Sequence, residues 1–187
     1  MPGLARTILS FAAMVLLLIQ SGRPAAAADL ATSLAKHSQL SKFHLLINSA
    51  GLANLLRSTA GLTLLAPTNH ALAAAPDYIR AAIKRGPGAA NGALLLQLRH
   101  LVRGHVFDVI LPPKALIGRR QQFTDADGTV RIIDGAEAGV ITISTVPIAS
   151  SAAKGGMRPR PQTAQVFGRA ITADNGIIYP IDAILAD

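Results

Sequence analysis

The sequence predicts an α+β domain, and three observations carry that prediction. Apolar residues recur at helical spacing through the first half of the chain, then give way after Gly104 to short runs of β character. Helices first and strands second argue for segregated layers. Two apolar segments far apart in the chain, Thr63 to Leu72 (TLLAPTNHAL) and Asn175 to Leu185 (NGIIYPIDAIL), each read as a buried strand bounded by turn or cap residues.

From Leu30 to Leu56, positions such as Leu34, Leu40, Phe43, Leu46, Ile47 and Leu52 predict two or three short helices, with Asp29 capping the first and Gly51 marking a break. Leu62 to Ala66 reads as a strand stopped by Pro67. Thr68 or Asn69 can cap a helix that begins at His70. Pro76-Asp77 opens another helix through Ile83, ended at Gly86-Pro87-Gly88. Asn91 can cap a helix from Gly92 to Val102, whose Leu94, Leu95, Leu98, Leu101 and Val102 form a core-facing stripe.

Strands are then predicted at His105 to Val109, Arg120 to Thr124, Thr129 to Asp134, Val140 to Ser144, Gln165 to Thr172 and Ile177 to Leu185. Asp127-Gly128 is a hairpin turn signal, and Asn175-Gly176 offers the φ > 0 geometry of another. Pro180 cannot donate a ladder hydrogen bond, so its strand is expected at a sheet edge or bulge there, with Asp182 punctuating the end.

The chain's 187 residues suit one domain, and the apolar half of its composition supplies a core. Arg6, the apolar run Ile8 to Ile19 and the Ala26-x-Ala28 pattern have the layout of a secretory signal over residues 1–28. That run is well short of the ~20 residues that span a bilayer, so no membrane span is expected after cleavage. Residues 29–187 then form the single mature domain. With no cysteine, it is held by packing rather than by disulfides.

Most enzyme chemistries lack their parts. The sequence has no cysteine nucleophile, no Gly-x-Ser-x-Gly elbow, no phosphate-binding Gly-Lys-Ser/Thr loop and no His-Glu-x-x-His pair. Asp125-Ala126-Asp127-Gly128 lacks the later ligands of a calcium loop and reads as a β-turn. His100 and His105, five residues apart, would lie on different faces of a helix, so neither metal nor cofactor is expected. His100 reads as a buried histidine orienting the strand that follows it, and Tyr179 as a half-buried core aromatic. Two Tyr, five Phe and no Trp leave little for stacking sugars or bases.

The two apolar segments together resemble the paired signature segments of the fasciclin (FAS1) domain family, of the single-domain secreted type found in bacteria. LLLQLRHLVRG, Leu94 to Gly104, looks like the family's central segment, and the three in order span roughly residues 34–187. His70, Leu72, Arg99 and the Tyr179-Pro180 pair depart from the usual family residues. The resemblance implies a helical N-terminal half packed on a compact, twisted β-sheet wedge. It also implies a non-enzymatic adhesion or surface-interaction module, secreted or periplasmic, binding envelope or extracellular matrix components. Thr68, Asn69, Asn175, Gly176 and Asp182 are its structural motif positions, and His100 falls on a position whose region is associated with adhesion in some relatives.

The alternative is a small-ligand-binding protein or enzyme with a cleft near His100 and Tyr179. The formal charge of +8 points to an anionic envelope polysaccharide or lipid surface as partner, or else another surface protein. Nucleic acid is not expected outside the cytoplasm. Lys154, Arg158 and Arg160 lie in a Gly- and Pro-rich stretch near 150–162, read as a flexible basic insertion able to touch such a surface.

Overall fold

The computed structural model describes residues 28–137, 139–145 and 162–185, so the leader segment and most of the basic insertion lie outside the described residues. The chain opens with α1 (Leu30–Lys36), a 3-10 turn (Ser38–Leu40), α2 (Ser41–Ser49) and α3 (Ala53–Ser58). Asp29 caps α1 by accepting from the Thr32 amide at 2.9 Å. Strand β1 (Leu62–Pro67) follows, then α4 (Asn69–Ala73), α5 (Asp77–Arg85) and α6 (Gly92–Arg103). Asn91 stands at the start of α6 without making a side-chain cap.

Beyond α6 come β2 (Val106–Phe107), the short helix α7 (Pro113–Leu116), which the sequence pattern did not predict, and β3 (Arg120–Thr124). The chain continues through β4 (Val130–Asp134), β5 (Thr142–Thr145), β6 (Thr163–Gln165), β7 (Ile171–Ala173) and β8 (Gly176–Ile181). They form two four-stranded sheets, ordered β2-β1-β8-β7 and β3-β4-β5-β6. The second is an antiparallel meander.

The first sheet is organised on a parallel pair, β1 with β8, in register from Leu62 beside Gly176 to Pro67 beside Ile181. Every residue of both strands is buried. Alternation along a strand sends successive side chains to opposite faces, so this pair serves two cores. Leu62, Leu64, Ala66 and Ile178 join the helical core with Leu34, Phe43, Leu46, Ile47 and Leu98. Leu65, Ile177, Tyr179 and Ile181 face the second sheet and pack with Phe107, Leu116, Ile133 and Ile143. The result is three layers: helices, the β1–β8 sheet, and the meander.

Three expectations need correction. The run Gln165 to Thr172 is not one strand: β6 belongs to the second sheet and β7 to the first. Val166 takes a hydrogen bond path to both, donating to Ile141 at 2.8 Å and bridging Ile181. Gly168, at φ 84°, supplies the left-handed residue that lets the chain turn this corner.

The second correction is the hairpin turn, which is Asp174-Asn175 rather than Asn175-Gly176, since Ala173 pairs with Gly176. Gly176 has no positive φ; it is glycine because a Cβ there would lie 2.2 Å from the Leu62 carbonyl oxygen and 2.9 Å from Leu30 Cδ1. Third, β8 is not an edge strand. Pro180 is tolerated because β7 has ended by that point, its last register partner on β8 being Ile178 opposite Ile171. The Pro180 carbonyl is taken instead by the Phe167 amide at 2.7 Å, and the nitrogen of a strand residue faces the same side as its carbonyl.

Adding a methyl at this contact tests how closely the two strands must approach. Gly176→Ala is expected to lower the unfolding free energy by about 3 kcal/mol, the upper end for overpacking, read from urea denaturation; an unchanged midpoint would show that β1 and β8 separate freely.

Candidate functional site

Both ends of the β1–β8 pair are closed by side chains of the two signature segments. At the Leu62 end, Asn175 accepts from the Leu30 amide at 2.8 Å through Oδ1. Its Nδ2 donates to the carbonyls of Leu56 at 2.7 Å and Thr59 at 2.8 Å. Its own carbonyl takes the amides of Gly61 and Leu62. One residue thereby satisfies the start of α1, the end of α3 and the entry to β1, groups that would otherwise be unpaired at helix termini.

At the Pro67 end, the Thr68 hydroxyl accepts from the Ala71 amide at 3.2 Å, capping α4, while its amide donates to the Ile181 carbonyl at 3.0 Å. Asn69 caps a different helix from the one it begins. Its Oδ1 accepts from the Lys42 amide in the first turn of α2 at 2.9 Å, and its Nδ2 donates to the Ser38 carbonyl at 2.8 Å. Asp182 latches β6 to β8: Oδ1 accepts from the Gln165 amide at 2.7 Å and the Asp182 amide donates to the Gln165 carbonyl at 3.0 Å.

Around Thr68, Asn69 and Asp182 lies an open hollow of about 390 Å³, completed by Gln39, His70 and Phe167. Composition gave no signal for Gln39 or Phe167. Phe167 is 61% exposed, whereas Phe43 and Phe107 are wholly buried.

The other expected positions lie elsewhere. His100 is on the exposed face of α6, its Nδ1 paired with the Asp127 carboxylate, so it is not the buried histidine. That role belongs to His105. Its Nδ1 meets the Leu101 carbonyl at 2.8 Å, its Nε2 accepts from the Leu185 amide at 3.1 Å, and its ring centroid lies 5.5 Å from that of Phe43. Lys154, Arg158 and Arg160 lie outside the described residues.

Tyr179 is fully rather than half buried, and its hydroxyl donates to the Leu111 carbonyl at 2.6 Å. Thr63 accepts from the Leu111 amide at 2.9 Å, so the first and last signature segments hold both polar groups of one residue. The cleft that the alternative reading places near His100 and Tyr179 is not formed among the described residues. Leu98, Leu101 and Val102 of α6 pack in the helical core, while Tyr179 packs in the core between the sheets. The gap beside Tyr179 has no room for a water molecule.

The loop Asp125 to Gly128 is a turn built on a buried ion pair. Asp125 accepts from the amides of Asp127 and Thr129, and from Arg131 Nε at 3.0 Å; both charged side chains are fully buried. Among the described residues no group of His, Asp and Glu could hold a metal ion.

Two substitutions probe this construction. Asn69→Ala is expected to destabilise by about 1 kcal/mol, the usual worth of a lost N-cap, with protection from hydrogen exchange lost first in α2 rather than in α4. Burial pushes the Tyr179 phenol from the ordinary 10.0 up to about 12. The folded state therefore favours the neutral form, and this contribution is complete below pH 10 and lost as pH rises toward 12. Tyr179→Phe should melt lower at neutral pH, by about 1 kcal/mol for the lost hydrogen bond, yet lose less stability than the parent in an alkaline titration.

The fasciclin domain profile matches residues 38–187. A solved FAS1 domain pair from the insect cell adhesion molecule fasciclin I superposes with a TM-score of 0.55 at 18% identity, which establishes likeness of fold. The alignment covers 79% of this chain and 45% of that two-domain chain. No curated protein matches in sequence. Fasciclin domains are generally non-enzymatic and commonly extracellular, and among the described residues no helix is long and apolar enough to cross a membrane. On a profile match across most of its length, with the two signature segments paired as the central strands of the fold, the chain belongs to the fasciclin domain family, a family associated with cell adhesion.

Proposed function

We propose that this domain is an exported adhesion module that attaches to an anionic envelope polysaccharide or lipid surface through its basic groups. The observation that carries this reading is a surplus of uncompensated surface cations. Lys36, Arg57, Lys84, Arg85, Arg99, Arg103, Lys114, Arg119 and Arg169 are all exposed, and none has a carboxylate within 4.0 Å among the described residues. Arg80 and Arg120 are exposed but paired, with Asp77 and Asp134. Unpaired cations on a chain of net charge +8, of which Arg6 and Arg23 of the leader supply two, attract anionic polymers over several ångströms and add through number rather than individual strength.

The leader layout supports export, and the family supports adhesion over catalysis. Lys154, Arg158 and Arg160 add three cations in a stretch whose composition favours projection from the domain. Arginine suits carboxylate or phosphate because its planar fork binds such groups bidentately.

Retention of the purified domain on an acidic polysaccharide column and on anionic liposomes should fall steeply with salt, since the screening length shrinks from about 10 Å at 0.1 M to about 3 Å at 1 M. Replacing Lys154, Arg158 and Arg160 together by Ser should lower the eluting salt at an unchanged Tm. Equal elution of both proteins removes that stretch from the contact; absence of salt-dependent retention overturns attachment by charge.

A further inference from the structure

We propose that the hollow at the Pro67 end of the β1–β8 pair is a binding site for one residue of a neutral saccharide chain, stacked on Phe167. Four observations converge on it. First, its volume of about 390 Å³ falls within the range of small-ligand sites, at the small end. Second, Phe167 lines the hollow with an aromatic side chain on a residue 61% exposed, in a protein that buries Phe43 and Phe107 completely. The apolar C–H face of a pyranose ring is the natural complement of such a surface, because stacking removes apolar area on both sides without stripping water from the hydroxyls at the ring's edge.

Third, the backbone beneath the ring is fixed before any ligand arrives. The Phe167 amide donates to the Pro180 carbonyl at 2.7 Å, and neighbouring Val166 is tied to both sheets. A ring on a rigid corner loses little conformational freedom on binding. Fourth, the polar lining suits hydroxyls and disfavours anions. Gln39 and His70 make no side-chain hydrogen bond to another described residue, so both are available. Gln39 offers a donor and an acceptor, the His70 ring offers its nitrogens, and the Asp182 carboxylate accepts. A sugar hydroxyl is itself both donor and acceptor. No Lys or Arg lines the hollow, and its one carboxylate repels acidic groups.

This site would give selectivity to the adhesion reading above and rests on it for its physiological sense, but its chemistry differs: attachment between opposite charges is screened by salt, whereas stacking and hydrogen bonding of a neutral sugar are not. The sequence composition excludes a lectin built on many aromatic rings; a single presented ring is what the corner at residues 166–168 supplies.

The experiment titrates the isotopically labelled full domain with cellohexaose, maltohexaose and chitohexaose at millimolar concentration, following backbone amide resonances at low and high salt. The expected result is that at least one oligosaccharide shifts amides near Gln39, Thr68 to His70, Phe167 and Asp182, equally at both salt levels. Phe167→Ala and Phe167→Leu should each weaken that binding by about tenfold, the scale of a lost aromatic contact, with the remaining spectrum unchanged. Because Phe167 is exposed, neither variant should disturb folding, and Leu keeps apolar bulk while removing the flat face. Shifts absent with all three sugars, abolished by salt, or unaltered in both variants would each overturn the proposal. Salt-dependent retention on acidic polymers is measured on the same protein, so failure at the hollow is separable from failure of the charge-based attachment.

Discussion

The fold depends on the close parallel contact between β1 and β8, two strands from opposite ends of the domain. Parallel neighbours cannot be joined by a short turn, so the whole intervening chain serves as their connection. Each strand is buried on both faces, which explains its near-continuous apolar sequence and why the helices and the meander must both be present to cover it. Gly176 lets the backbones approach, and Asn175 converts that approach into a junction by holding the ends of α1 and α3 against the first residue of β1. Little of this is local. Asn175 binds partners more than a hundred positions away, so the stability of the N-terminal helices is a property of the C-terminal strand.

Much of the fold was legible in the sequence. The strand Arg120 to Thr124 has the predicted limits, β1 differs by one residue, and the caps at Asp29 and Thr68 follow from local chemistry. Local rules erred where a long-range partner decided the outcome. Asn175-Gly176 looks like a turn because that pair usually is one; here the glycine answers the Leu62 carbonyl and the asparagine answers two helix ends. Pro180 reads as an edge residue, but the strand β7 is shorter than its neighbour, which leaves room for proline within the sheet order. His100 and His105 are indistinguishable by composition. Their fates separate because one lies on the exposed side of α6 and the other in the turn between α6 and β2.

The candidate site was half legible. Thr68, Asn69 and Asp182 stand in the signature segments, so their structural roles at helix and strand ends were anticipated by pattern. Phe167 was not, because exposure of an aromatic residue is a tertiary fact: the run Gln165 to Thr172 reads as a single apolar strand, and the change of sheet at Val166 is what leaves the next side chain exposed. The buried Asp125–Arg131 pair escaped notice for a similar reason. Asp125 reads as a turn residue, and nothing in Val130 to Asp134 marks Arg131 as an inward position except alternation with Ile133. Burying both charges is tolerable because the carboxylate also receives two amides and the guanidinium also donates to the Thr145 hydroxyl.

The late position of β8 has a consequence for biosynthesis. Synthesis proceeds from the amino end, so β1 emerges after α1 to α3 but with the meander that covers its other face, and its parallel partner, still unmade. For that interval the helices lack the floor on which they pack, and β1 offers an unpaired hydrogen-bonding edge of the kind that recruits foreign strands. A nascent chain of this design cannot settle progressively as it is made; it must be kept apart from its neighbours until the closing segment arrives. The same delay keeps the polypeptide loose and threadable for as long as it is incomplete, a state in which it can still be passed through a narrow opening.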